Sequence, residues 1–148
     1  MARDVTLRLP DETAARLEAT AKKEGRSLSE TGARSIEEWL RQEEFPEIEF
    51  RTFNGERRPC LTGLTQIWQI IMVARHYDLD VGKTAYYFQV APHRIEAAFN
   101  YYRAYPEEID QAVAENDSWT YERMKESLPE LERFSVDLDD EDNDVVLD

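Results

Sequence analysis

The stretch VTLRLPDETAARL, residues 5–17, decides how the beginning of this chain folds. Residues 5–9 alternate apolar and polar side chains, which is the two-residue period of a β-strand. Pro10 ends this strand, because proline has no backbone N–H to donate to a ladder. The next strand-like pattern begins only near residue 48, and a lone strand leaves its backbone groups unpaired. We therefore expect residues 5–9 to pair with the same strand of a second chain.

Two amphipathic helices follow the strand. Asp11 is a suitable N-cap for a first helix over residues 12–24. Ser27 and Glu30 form a capping-box pattern before a second helix that should run to about Gln42. The apolar face of the second helix consists of Leu28, Ile36, Trp39 and Leu40. A strand and two helices in so short a segment cannot build a stable core alone, so this part also predicts a homodimer.

The pattern changes at residue 45. Asn54-Gly55 between alternating residues predicts a β-hairpin with strands near 48–53 and 57–61. Helices are then expected over 64–77, 81–88, 92–104 and from Pro106 to about 116. The fold class is therefore mainly α, with domains at 1–44 and 45–116 and a segment at 117–148. The second domain is expected to be a hairpin followed by a helix-turn-helix-like array.

Charge is distributed unevenly along the chain. The net charge is −14, and residues 116–148 hold 3 basic and 12 acidic residues, whereas residues 1–44 hold 8 and 10. The low pI by itself argues against nucleic acid, but the nearly neutral first part can still present a basic face. The last 14 residues hold seven acidic residues and no basic one, which predicts a disordered acidic tail.

No chemistry-bearing constellation is visible. His76, His93 and Cys60 lack metal-ligand spacing, and there is no Ser-His-Asp or Cys-His signature, so we expect a non-enzyme without metal or cofactor. A single cysteine, no signal-peptide pattern and no long apolar run indicate a cytoplasmic protein. Arg57 and Arg58 after the hairpin turn are expected to be solvated rather than to contact phosphate. Five tyrosines are expected in core and interface rather than in a base-stacking platform: Tyr86, Tyr87, Tyr101, Tyr102 and Tyr105.

Residues 3–42, with LPDE after the strand and GRSLS between the helices, resemble the ribbon-helix-helix family of bacterial repressors and antitoxins, the Arc and CopG type. The resemblance implies a dimer whose two-stranded ribbon lies in the DNA major groove, while the start of the second helix holds a phosphate. The DNA-binding residues it implies are Arg3, Asp4, Thr6, Arg8, Arg26, Ser27 and Ser29. Lys22 and Lys23 would add sequence-independent contacts.

Two features depart from that family. Asp4 stands on the outward face, where it would repel phosphate, although a carboxylate can accept from cytosine. Thr31 and Gly32 stand where the family places large apolar residues, which either thins the dimer core or lets helices approach closely.

The second domain resembles the family catalogued as domain of unknown function 433, through GERRPCLTGLTQIWQII and RIEAAFNYYRAYPEEID. Its members often sit beside genes for PIN-like nuclease toxins, which implies an antitoxin. The family's Gly-Thr-Arg step is altered here to Gly63-Leu64-Thr65.

Three roles are open for the acidic end: a solubilising tail, an internal competitor for the DNA face, or a ligand for a basic protein. Apolar residues scattered among the charges favour the last role, because binding-coupled folding needs anchors. The predicted partner-binding residues are Trp119, Tyr121, Met124, Leu128, Leu131, Phe134, Val136 and Leu138.

We therefore expect a type II antitoxin that neutralises a PIN-like ribonuclease and represses its own operon by binding operator DNA as a dimer. The alternatives are a stand-alone regulator and a pure interaction protein whose ribbon only joins two chains.

Overall fold

A computed structural model describes residues 1–117 of the chain. These residues contain six helices and one two-stranded antiparallel sheet, which confirms the prediction of a mainly helical fold with one hairpin. The elements are α1 Asp11–Glu24, α2 Leu28–Glu44, β1 Ile48–Phe53, β2 Glu56–Leu61, α3 Ile67–His76, α4 Val81–Phe88, α5 Pro92–Ala104 and α6 Pro106–Asp117. Contacts group Met1–Ala104 into one compact unit and Tyr105–Asp148 into another, of which α6 is the described helix. The boundary predicted near residue 44 lies inside the first unit.

The predicted strand at residues 5–9 is not formed in the single chain. Residues 1–10 have no regular secondary structure and are exposed throughout. The physical reason is that a strand requires a hydrogen-bonded neighbour, and β1 and β2 pair only with each other within the described residues.

The hairpin forms where Asn54-Gly55 predicts it. Both residues have positive φ, 50° and 80°, as the two-residue turn favoured by twisted strands requires. The register pairs Ile48 with Leu61 and Phe53 with Glu56. The end of β2 is buried and turns into α3, so the hairpin forms part of the core rather than a free wing.

Helices α3, α4 and α5 enclose a core with the end of the hairpin. Its fully buried members include Cys60, Leu61, Ile67, Ile70, Ile71, Ala74, Ile95, Ala98 and Tyr101. Asp80 caps α4 by accepting from the Lys83 N–H at 2.8 Å, and Pro92 begins α5. Burial also raises the pKa of the Cys60 thiol, as expected for a structural cysteine.

Several predicted details are wrong. Asp11 is the first residue of α1 and Pro10 takes the cap position, without a side-chain cap bond. Helix α3 begins at Ile67 rather than at residue 64, because the preceding residues form a turn in which Gln66 caps the helix. Helix α2 continues to Glu44. On α5 it is Tyr101, not Tyr102, that is fully buried.

Candidate nucleic-acid interface

The turn between α1 and α2 brings together three of the predicted DNA-binding residues: Arg26, Ser27 and Ser29. Gly25 ends α1 in the left-handed conformation, with φ of 66°. The N–H groups of Gly25 and Arg26 donate to the carbonyls of Lys22 and Ala21 at 3.2 and 3.0 Å, which fixes the turn. The turn therefore places the start of α2 directly beside the end of α1.

Ser27 caps α2 as predicted. Its hydroxyl accepts from the Glu30 N–H at 3.0 Å, which satisfies one of the free donors at the helix start. The N–H groups of Leu28 and Ser29 have no carbonyl one turn upstream, and both residues are exposed. An exposed helix start with two N–H groups is chemically suited to a phosphate oxygen.

Basic side chains surround this helix start. Lys22 and Lys23 occupy the last turn of α1, and Arg26 follows it; all three are exposed. Glu24 in the same turn is committed elsewhere, because Arg34 donates to its carboxylate at 2.6 Å. That hydrogen bond lowers the pKa of Glu24, so its charge is neutralised locally by Arg34. The exposed charge of the turn is therefore mainly positive.

The other predicted readers lie in the irregular N-terminal segment. Arg3, Asp4, Thr6 and Arg8 are all exposed, and the structure assigns them no shared site with the α1–α2 turn. Between them, Val5, Leu7 and Leu9 are 68%, 58% and 41% exposed. Three alternate apolar side chains in water are costly and remain without a packing partner in the single chain.

The predicted apolar face of α2 is also exposed. Trp39 is 59% exposed and Leu40 51%, although a tryptophan carries one of the largest apolar surfaces of any side chain. Leu28 and Ile36 on the same helix are about half exposed as well. We call these four residues, together with Val5, Leu7 and Leu9, the N-terminal apolar surface.

Thr31 and Gly32, the departures from the family pattern, pack against neighbours in their own chain. Thr31 is fully buried and its hydroxyl donates to the Ser27 carbonyl at 2.9 Å. A Cβ added at Gly32 would lie 3.6 Å from Leu17 Cδ2, an ordinary contact. The small residues therefore let α2 approach α1 closely.

An ion-pair network that the sequence did not reveal holds α2 against the hairpin. Its members are Glu24, Arg34, Glu38 and Arg57. Arg57 binds the nearly buried Glu38 with Nη2 at 2.6 Å and Nε at 3.1 and 3.2 Å, which raises the pKa of Arg57. Arg57 also donates to the Phe50 carbonyl at 3.2 Å. The expectation that Arg57 is solvated is therefore wrong, and its guanidinium is not available for DNA.

Arg41 makes a second link between α2 and the core. Its Nη1 donates to the Tyr101 hydroxyl at 2.9 Å, and Phe45 meets the Tyr101 ring edge-on at 5.3 Å between centroids. The Arg34–Glu38 spacing of four residues is visible in the sequence, but contacts from α2 to Arg57 and Tyr101 span too much chain to leave a sequence pattern.

The second region offers no evident small-molecule site. A groove of about 210 Å³ lies beside Phe45, Glu47 and Asn100 and is smaller than typical ligand pockets. Nearby, Arg94 pairs with Glu47 at 3.6 Å. Within residues 1–117, no three of His, Cys, Asp and Glu lie close enough to hold a metal ion.

The predicted tyrosine cluster separates into two parts. Tyr101 is buried in the core, whereas Tyr86 and Tyr87 are exposed on α4. Arg58 pairs with Glu56 at 2.7 Å. All predicted partner-binding residues, from Trp119 to Leu138, and the acidic tail lie outside the described residues.

None of the helices described in residues 1–117 combines the length and the apolar character that crossing a bilayer demands. No family model matches the chain, and neither a curated protein nor a solved structure matches it.

Proposed function

We propose that this protein is a dimeric DNA-binding antitoxin that represses its own operon and neutralises a PIN-like ribonuclease. In this proposal residues 1–44 form a ribbon-helix-helix dimer. The array after residue 45 is helix-turn-helix-like, and the segment from residue 117 binds the toxin.

The observation that carries the proposal is the N-terminal apolar surface. Seven large apolar side chains of the first forty residues are at least two-fifths exposed in a chain that otherwise buries its core. A second copy that pairs residues 5–9 as an antiparallel ribbon satisfies the unpaired backbone and covers this surface at once.

The same pairing would create a DNA-reading surface. With Val5, Leu7 and Leu9 turned inward, the strand period turns Asp4, Thr6 and Arg8 outward. Arginine pairs bidentately with guanine, and threonine contacts base edges or the thymine methyl group. Arg26, Ser27 and Ser29 would then hold the backbone phosphates that fix the ribbon's position.

The antitoxin part of the proposal rests on composition and on the family resemblance. Residues 116–148 carry a net charge of −9 with apolar residues interspersed, which suits a basic partner whose surface is built for RNA. The same charge gives a reason for one protein to serve both ligands, because its two ends differ in electrostatic character.

The DNA-binding part is tested by a mobility shift with the promoter of the chain's own operon, at several salt concentrations. We expect binding that weakens steeply with salt and a loss of about tenfold or more in affinity for Arg8→Ala. Arg51→Ala is the matched control, because Arg51 is an exposed hairpin residue paired with Glu49. Equal affinity of the two variants would contradict the readout by the ribbon.

The antitoxin part is tested by co-expression with the product of the adjacent gene. We expect a stable complex that dissociates when the chain is shortened to residues 1–117, while operator binding persists. Operator binding without any complex would identify a stand-alone regulator, and a complex without operator binding a pure interaction protein.

A further inference from the structure

Outside the first forty residues, the exposed large apolar side chains of the described chain lie in one short stretch. Met72, Leu79, Tyr86 and Tyr87 belong to α3, α4 and the turn that joins them. Tyr86 is 79% exposed and Tyr87 57%, although the core beneath them is fully packed. A cluster of this kind on a well-packed domain marks an interaction surface. We call Tyr77, Leu79, Tyr86 and Tyr87 the tyrosine face.

The tyrosine face is held in place by its own neighbours. The Tyr87 ring lies 6.3 Å from the Tyr77 ring and meets the Phe88 ring edge-on at 5.0 Å between centroids. A side chain held in this way loses little entropy when a partner binds, and exposed tyrosines are frequent energetic centres of interfaces.

The turn before α4 displays Leu79 at a conformational cost. Asp78 and Leu79 both have left-handed backbone, with φ of 53° and 61°, and the Leu79 N–H donates to the Ala74 carbonyl at 2.8 Å. Leucine is disfavoured in this region, where glycine or asparagine is usual. A strained, half-exposed leucine beside exposed tyrosines gains nothing for the single chain, which points to a role in binding.

Charge indicates which partner fits the tyrosine face. Residues 72–89 contain two basic residues, Arg75 and Lys83, and two acidic ones, Asp78 and Asp80, in a chain whose net charge is −14. A face of zero net charge does not attract DNA or a strongly charged protein. It is instead a place where two copies of an acidic chain can meet without net repulsion.

We propose that the tyrosine face binds the tyrosine face of a second copy of this chain across a two-fold axis. Lys83 lies three and four residues before Tyr86 and Tyr87, on the same side of α4. In the pair, each Lys83 meets Asp78 of the other copy, as an isologous interface requires. Since the N-terminal apolar surface is separate, this contact joins dimers into tetramers, and it depends on neither DNA nor toxin binding.

The first test measures the mass of the full-length chain by sedimentation over about two orders of magnitude in concentration. We expect the wild-type mass to double with concentration. The double variant Tyr86→Ala/Tyr87→Ala should lower the association constant for this step by about tenfold or more. Its thermal unfolding should remain unchanged, because both side chains are exposed. A constant wild-type mass, or unchanged association of the double variant, overturns the proposal.

Trp39→Asp separates this step from N-terminal dimerisation. This variant should weaken the N-terminal pairing and leave association through the tyrosine face intact, so its mass still doubles with concentration. If Trp39→Asp abolishes all association while the tyrosine variant changes nothing, the N-terminal dimer stands and the second interface is refuted.

A mixing experiment tests the charged contact. Lys83→Glu alone places two carboxylates together, and Asp78→Lys alone places two cations together, so each variant should associate about tenfold more weakly or worse. A mixture restores attraction at both contacts. In one contact the two introduced side chains, a carboxylate and an ammonium, face each other, and in the other the native Asp78 faces the native Lys83. Unfolding temperatures verify that both variants fold. A mixture that associates no better than its components contradicts the proposed pairing.

Discussion

Residues 1–44 and residues 45–104 belong to the same compact unit, but they satisfy their side chains in opposite ways. The second region buries aliphatic and aromatic residues from the hairpin and three helices. In the first, Ala21 is the one hydrophobic residue that is buried, and the larger apolar side chains face outward. The contrast teaches that the chain completes one part of its fold alone and leaves the other to be completed by association.

The strongest way to break this comparison is to shorten an isoleucine in each region. Ile71→Ala should lower the free energy of unfolding by about 3 kcal/mol at every protein concentration, because the side chain is fully buried in one chain. Ile36→Ala should cost stability only at concentrations where the chain is dimeric. Urea unfolding at several protein concentrations measures both. A cost of Ile36→Ala that does not vary with concentration would argue against the N-terminal dimer.

The ion-pair network joins the two regions, and its removal should show how far they depend on each other. Glu38→Gln leaves Arg57 and Arg34 without their carboxylate and should cost about 2 kcal/mol. Glu37→Gln is the matched control, because its pair with Arg41 lies at a 56% exposed carboxylate and should cost less than about 0.5 kcal/mol. Equal costs in chemical denaturation would mean that the network adds nothing beyond surface ion pairs.

The helix start offers a smaller effect within the first region. Ser27→Ala removes the acceptor of the Glu30 N–H and should destabilise by about 1 kcal/mol, whereas Ser29→Ala in the first turn should change stability little. Thermal unfolding measures this difference, and operator affinity is then compared between the same two variants. If Ser27 also holds a phosphate, its replacement should weaken DNA binding more than the loss of stability explains.

The smallest effect concerns pH. Arg34 lowers the pKa of Glu24 below its usual value of 4.5, so this carboxylate stabilises the folded chain above that pH. The contribution should disappear progressively as pH falls from 4.5 through the lowered pKa. Glu24→Gln should therefore be less stable than the wild type at neutral pH and equally stable in acid. A difference that persists unchanged in acid would exclude this ion pair as the cause.

The sequence predicted those elements whose ends carry local signals. Asn54-Gly55, Asp80 and Pro92 determine the hairpin turn and the starts of α4 and α5 through backbone geometry alone. Residues 5–9 were predicted as a strand from their alternation, but alternation describes which side chains share a face and cannot supply the hydrogen-bonding partner.

Long-range polar contacts were not predictable. Nothing in the sequence near Arg57 distinguishes it from Arg58, yet one binds Glu38 and the other pairs with its neighbour Glu56. Which arginine turns toward α2 depends on the twist and register of the hairpin. Likewise, Tyr101 and Tyr102 are adjacent, and only the packing of α5 decides which one is buried.

The contact between Arg57 and Glu38 limits how this chain can be divided or recombined. A fragment that ends at Glu44 would keep Glu38 and Arg41 but lose the guanidinium and the phenol that complete them. Grafting residues 1–44 onto a foreign domain would leave the same two charges on α2 unsatisfied. Exchange of the N-terminal segment between proteins therefore has to bring the hairpin with it, so the transferable module is longer than the strand and two helices.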